Sequence, residues 1–179
     1  STGEIGCTPD GIRSNNYNLS WWLPIHAGGW PNFNSEDTTY SFRVDMNSGM
    51  QLNTTIATND STQILIDQYF ICRELMNGDY YILAAGKDAA IETADACYEF
   101  YKPEEGKGYI LAFRPENCTT ASASYKLKGL NPNANSPMYF APSSDDNISA
   151  NFVVLFGDDA FMILPLENSS LPWKVVLQK

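Results

Sequence analysis

Residues 77–115, NGDYYILAAGKDAAIETADACYEFYKPEEGKGYILAFRP, predict three consecutive antiparallel strands joined by two tight turns. Asn77-Gly78 lies between two apolar runs, and an Asn-Gly pair is the strongest short hairpin signal because both central residues of a type I′ turn take positive φ. It ends one strand and opens the next at residues 80–85. Gly86-Lys87-Asp88 turns the chain into residues 90–100, and the charged run 102–108 turns it again into 109–114. Such a meander needs a partner face to cover its apolar side.

Working outward, residues 63–75 are apolar on both faces, with Leu65, Tyr69 and Ile71 opposite Ile64, Ile66 and Phe70, the pattern of a strand covered on both sides. Residues 39–44 alternate, Tyr40, Phe42 and Val44 against Ser41 and Arg43, and Asn47-Ser48-Gly49 turns them into 50–56, which reads as a hairpin. Residues 19–26, LSWWLPIH, read as a strand broken by Pro24, and residues 1–17 as an arm tied down by Cys7. Beyond the meander, residues 116–130 lose the strand pattern and predict a short helix ending at Gly129. Residues 150–156, 160–164 and 173–177 are further strands, the first two joined through Gly157-Asp158-Asp159. Many short strands with Gly, Pro and Asn turns describe an all-β barrel or sandwich.

Composition narrows the function classes. With 11 Lys plus Arg against 21 Asp plus Glu the net charge is −10, which argues against nucleic acid and anionic membranes as partners because both are bound mainly through cations. The longest apolar runs are far too short for a membrane span, and the chain opens at Ser1 without an apolar leader, as a processed form would. Four cysteines, Cys7, Cys72, Cys97 and Cys118, are spaced too widely for a zinc knuckle and predict two disulfides, with three pairings open. Asn-x-Ser/Thr sequons begin at Asn18, Asn53, Asn59, Asn117, Asn147 and Asn168. Disulfides and sequons together predict a secreted, extracellular glycoprotein.

The order of features resembles the lipocalin family over residues 18–130. Trp21-Trp22, followed by the loop holding Trp30-Pro31-Asn32-Phe33, looks like the first lipocalin strand, although Leu19 stands where the family has glycine. GYILAFRP, residues 108–115, resembles the last barrel strand, whose terminal Arg crosses the family's Trp at the closed end. The resemblance implies an antiparallel up-and-down β-barrel of about eight strands with Trp21 packed on Arg114. It also implies a Cys7–Cys97 bridge of the arthropod type, leaving Cys72 with Cys118. The expected organisation is one domain over 1–179: an arm (1–17), a barrel core (18–115), a helix (116–130) and C-terminal strands (131–179).

Catalytic chemistry is hard to place. His26 is the only histidine, so any triad would have to use it, and Asp145-Asp146, Asp158-Asp159 and Glu104-Glu105 all lie in predicted turns, where they read as solvated. No phosphate loop or metal cluster is legible, so neither a metal nor a cofactor is expected. Aromatic residues, 13% of the chain, are the more informative population. Tyr40, Phe42, Tyr69, Tyr81, Tyr98, Tyr109 and Phe113 fall on predicted strands where alternate positions point into a barrel. The expectation is a non-enzymatic lipocalin-like carrier of a small hydrophobic molecule such as a pigment, fatty acid, retinoid or odorant. The alternatives are an acidic scavenger of small amines, through Asp67, Glu92 or Asp95, and a structural or adhesive glycoprotein with a filled barrel.

Overall fold

A computed structural model describes residues 8–19, 22, 38–50, 60–85, 93–120, 122–130, 150–157, 161–163 and 174–178. The chain divides into two compact units, Ser1–Met76 and Asn77–Lys179, with the boundary inside the stretch expected as barrel core.

The first unit is helical. Helix α1 spans Pro9–Leu19, α2 Thr38–Val44 and α3 Asp60–Arg73. Thr8 caps α1: Gly11 N donates to its Oγ1 at 3.2 Å and Ile12 N to its carbonyl at 3.0 Å. Pro9 then occupies the first helical position, where a missing N–H costs nothing, and Asp10 sits in the positive first turn. In α3 the buried positions are Thr62, Leu65, Gln68, Tyr69 and Cys72, a spacing of three and four that gives one helical face.

The second unit is built on the meander. Strands β1 (Asp79–Ala84), β2 (Ala96–Lys102) and β3 (Lys107–Arg114) pair antiparallel in sequence, with Tyr81 opposite Glu99 and Cys97 opposite Ala112. Strand β5 (Ala150–Gly157) adds to the far side of β3, and β6 (Phe161–Ile163) adds to β5, giving one sheet in the order β1-β2-β3-β5-β6. Strand β4 (Ser122–Lys126) pairs in parallel with β7 (Lys174–Gln178) as a second, two-stranded sheet. Side chains of this second layer, Ala123, Tyr125, Leu127 and the following Leu130, pack on Cys97, Tyr101, Ile110, Ala112 and Phe156. Fully burying each such aliphatic side chain contributes about 1.5–3 kcal/mol.

Among the described residues the expected closed all-β barrel is therefore replaced by three helices followed by an open sheet with edges β1 and β6. Four local readings change with it. Residues 9–17, expected within an arm, belong to α1, with Arg13, Asn16 and Tyr17 buried. Residues 39–44 form α2 rather than a strand; Tyr40, Ser41, Phe42, Arg43 and Val44 are all buried, and an element covered on every side carries no usable period in its polarity. Residues 63–75 are mostly helix: of the apolar side chains that suggested a doubly covered strand, Leu65 and Tyr69 are buried on one helical face, while Ile64 is 36% exposed, Phe70 47% and Ile71 47%. Residues 116–130 hold β4 instead of a helix.

Asn77-Gly78 follows a helix, so it joins α3 to β1 and is no hairpin. Its glycine answers to space: a Cβ at Gly78 would overlap the Tyr101 carbonyl on the neighbouring strand. Strands β1, β2, β3, β5, β6 and β7 fall on stretches read as strands. The proposed strand at 50–56, most of that at 19–26 and the turn at 86–88 lie outside the described residues.

Candidate functional site

The seven aromatic residues expected to line a barrel do not share one interior. Tyr40, Phe42 and Tyr69 lie on helices of the first unit and are buried there. In the second unit the register puts Tyr98, Tyr109 and Phe113 on one face of the sheet and Tyr81 on the other. The shared face is a continuous aromatic row. Phe100 stacks on Tyr109 with ring centroids 4.7 Å apart and planes 2° from parallel, Tyr80 lies 5.0 Å from Phe100, and Tyr98 is 6.2 Å from Phe113. Tyr98, Phe100, Tyr109 and Phe113 are wholly buried, so the row fills space; offset and tilted ring pairs of this kind contribute about 0.5–1.5 kcal/mol each beyond burial.

Trp21 lies outside the described residues. Arg114 is buried at the end of β3, and its Nε donates to the Thr120 carbonyl at 3.0 Å, fastening the segment that leads to β4. Cys72, Cys97 and Cys118 are buried thiols, and Cys7 lies outside the described residues. Burial pushes the Cys72 thiol up to about 12, and burial, then the nearby Glu99 and Asp95 charges, raises that of Cys97. Asn18 belongs to the last turn of α1 and Asn117 to an exposed turn after β3; Asn53, Asn59, Asn147 and Asn168, together with His26, Glu92, Asp145-Asp146 and Asp158-Asp159, lie outside the described residues.

The groups with the most perturbed chemistry are ones that patterning passed over. Glu99 is wholly buried on the sheet face covered by the second layer, and the Lys128 amide donates to its two carboxyl oxygens at 2.9 and 3.2 Å. Burial pushes this carboxyl up to about 8, against the lowering effect of the Lys128 amide and ammonium. Beside it Gly129 takes a φ of 71°, and a Cβ there would lie 2.6 Å from the Tyr101 ring. Tyr125 donates a short hydrogen bond to Asp95 Oδ2, and burial, with the charges of Cys97 and Asp95, raises its phenol. Glu99, Asp95 and Arg114 thus fasten the chain between β3 and residue 130 over the sheet.

A second polar cluster holds the helical unit together. Tyr40 donates to Asp10 at 2.5 Å, Arg13 Nε lies 3.4 Å from the same carboxylate, and Asn16 Nδ2 donates to Asp45 at 3.2 Å. Arg43 donates from Nε and Nη2 to Gln68 Oε1 at 3.2 and 2.7 Å, joining α2 to α3. Arg13 and Arg43 are wholly buried, and burial pushes the Asp45 carboxyl up to about 7 against its Asn16 hydrogen bond. Apart from the Arg13–Asp10 pair within α1, the partners are 25–30 residues apart, so a lone Arg or Asp gives no advance sign of them.

In both clusters the most buried carboxyls, Glu99 and Asp45, are held by the Lys128 backbone amide and the Asn16 side-chain amide, while Asp10 and Asp95 are half-buried. Among the described residues no group of three or more His, Cys, Asp or Glu is placed to hold a metal, and no helix is long and apolar enough to cross a membrane. Asp67 is exposed on α3 with Gln63 Nε2 donating to it at 2.8 Å, and Glu104 and Glu105 are exposed in the β2–β3 turn, where the hydrogen bond from Lys102 lowers the Glu105 carboxyl.

No family model and no curated protein matches the sequence. Two solved structures are similar in backbone, both of the GH36 α-galactosidase AgaA from Geobacillus stearothermophilus. The complex with raffinose matches with a TM-score of 0.50 and 20% identity over 92% of this chain and 23% of that one. The complex with 1-deoxygalactonojirimycin matches with a TM-score of 0.41 and 21% identity over 81% of this chain and 20% of that one. The chain therefore spans less than a quarter of the length of the enzyme it is similar to.

Proposed function

We propose that this chain is a supporting, non-catalytic part of a larger glycoside-hydrolase-like protein. The observation that carries the reading is the backbone likeness to part of AgaA, which takes in nearly all of this chain and less than a quarter of that enzyme. Fold alone does not assign an activity, and the chemistry of the two clusters is what favours support over turnover. The most perturbed carboxyls, Glu99 and Asp45, are buried and engaged in holding segments together. The carrier expectation depended on the enclosed interior of a closed barrel, which an open sheet with a filled aromatic face does not supply. The purified chain, incubated with raffinose and with a chromogenic α-galactoside, should release no galactose above the buffer rate. Turnover by the chain alone would retire the reading, and quenching of its Trp fluorescence by retinoids or fatty acids would favour the carrier instead.

A further inference from the structure

Of the two sequons whose asparagine is described, the one at Asn117-Cys118-Thr119 is presented as a glycan acceptor would be. The turn after β3 is closed by Cys118 N donating to the Pro115 carbonyl at 3.0 Å, and two residues further on Arg114 Nε holds the Thr120 carbonyl at 3.0 Å. Within this tethered segment Asn117 is exposed, Cys118 buried and Thr119 exposed. The middle residue anchors the triplet while the amide and the hydroxyl, two residues apart, both face water. Asn18, by contrast, lies within the last turn of α1.

We propose that Asn117 carries an N-linked glycan. The proposal rests on the extracellular expectation drawn from the sequons and cysteines, and is independent of the glycoside-hydrolase reading. In the transfer, Asn117 Nδ2 forms a bond to C1 of an oligosaccharide carried on a polyprenyl diphosphate. The C1–oxygen bond breaks, the lipid diphosphate leaves with the electron pair, and one Nδ2 proton is lost, with no change of oxidation state.

The test is secretion of the full chain from yeast behind a leader peptide, followed by enzymatic deglycosylation in heavy-oxygen water and peptide mapping. The label is expected at position 117. It should be lost from that peptide in Asn117→Gln and in Thr119→Ala and kept in Thr119→Ser, which controls for folding because only the hydroxyl is common to the wild type and the conservative variant. Recovery of an unmodified Asn117 peptide from the secreted chain, whether or not other sequons are occupied, would overturn the proposal.

Discussion

Glu99 and Asp45 set the pH response at the scale of single residues. Each folded carboxyl titrates higher than its ordinary value, Glu99 at about 8 against 4.5 and Asp45 at about 7 against 3.8. The folded state therefore keeps protons that the unfolded chain gives up. Their contribution is fully present below the unfolded values, declines through neutrality by about 1.4 kcal/mol per pH unit per group, and is lost once pH passes the folded values. Urea midpoints should accordingly fall between pH 5 and pH 9. Glu99→Gln, which still accepts from the Lys128 amide, should flatten that decline while leaving stability at pH 5 within about 1 kcal/mol. An unchanged decline in the variant would show that Glu99 is ionised in the folded protein. Gly129 makes a second residue-scale prediction. At a φ of 71° and against the Tyr101 ring, Gly129→Ala should cost roughly 1–3 kcal/mol by thermal or urea unfolding, where the same change at an unstrained site would stabilise.

Helix α3 is the element that separates this architecture from a barrel. Leu65 is buried and its neighbour Ile64 exposed, so Leu65→Ala should cost about 2–5 kcal/mol and Ile64→Ala less than about 0.5. A doubly covered strand would make both changes costly. At the start of α1, Thr8→Ala should cost about 1 kcal/mol by removing the Oγ1 acceptor for Gly11 N. The sequence reading missed that helix: Thr8-Pro9-Asp10 is a cap, a first-position proline and an acidic first turn, but the Asn, Gly and Ser content nearby reads as an arm. Residues 79–84, 96–102 and 107–114 were legible as strands because their turns are local, and Gly106, at a φ of 61°, closes the second one. Helices α2 and α3 were not, since one is buried on all sides and the other shows apolar side chains to solvent.

At the scale of the whole molecule, the sheet order and the fastenings come from long-range pairing. The sequence brings 150–156 close to being a barrel strand, yet nothing local says that it lies beside β3 while 174–178 leaves for a parallel pairing with β4. Likewise Glu99 meets Lys128 and Tyr125 meets Asp95 across about thirty residues, a separation that periodicity does not see. The aromatic residues expected on the strands of one barrel fall, among the described residues, on helices of the first unit and on both faces of the sheet of the second. The proposed reading, that the chain is one part of a larger glycoside-hydrolase-like protein, is tested most directly by polypeptide size. An antiserum raised against this chain, used on source material dissolved at once in denaturant, should detect a polypeptide several times longer than 179 residues. A single species at the chain's own 19.9 kDa, allowing only for attached glycan, would contradict the account.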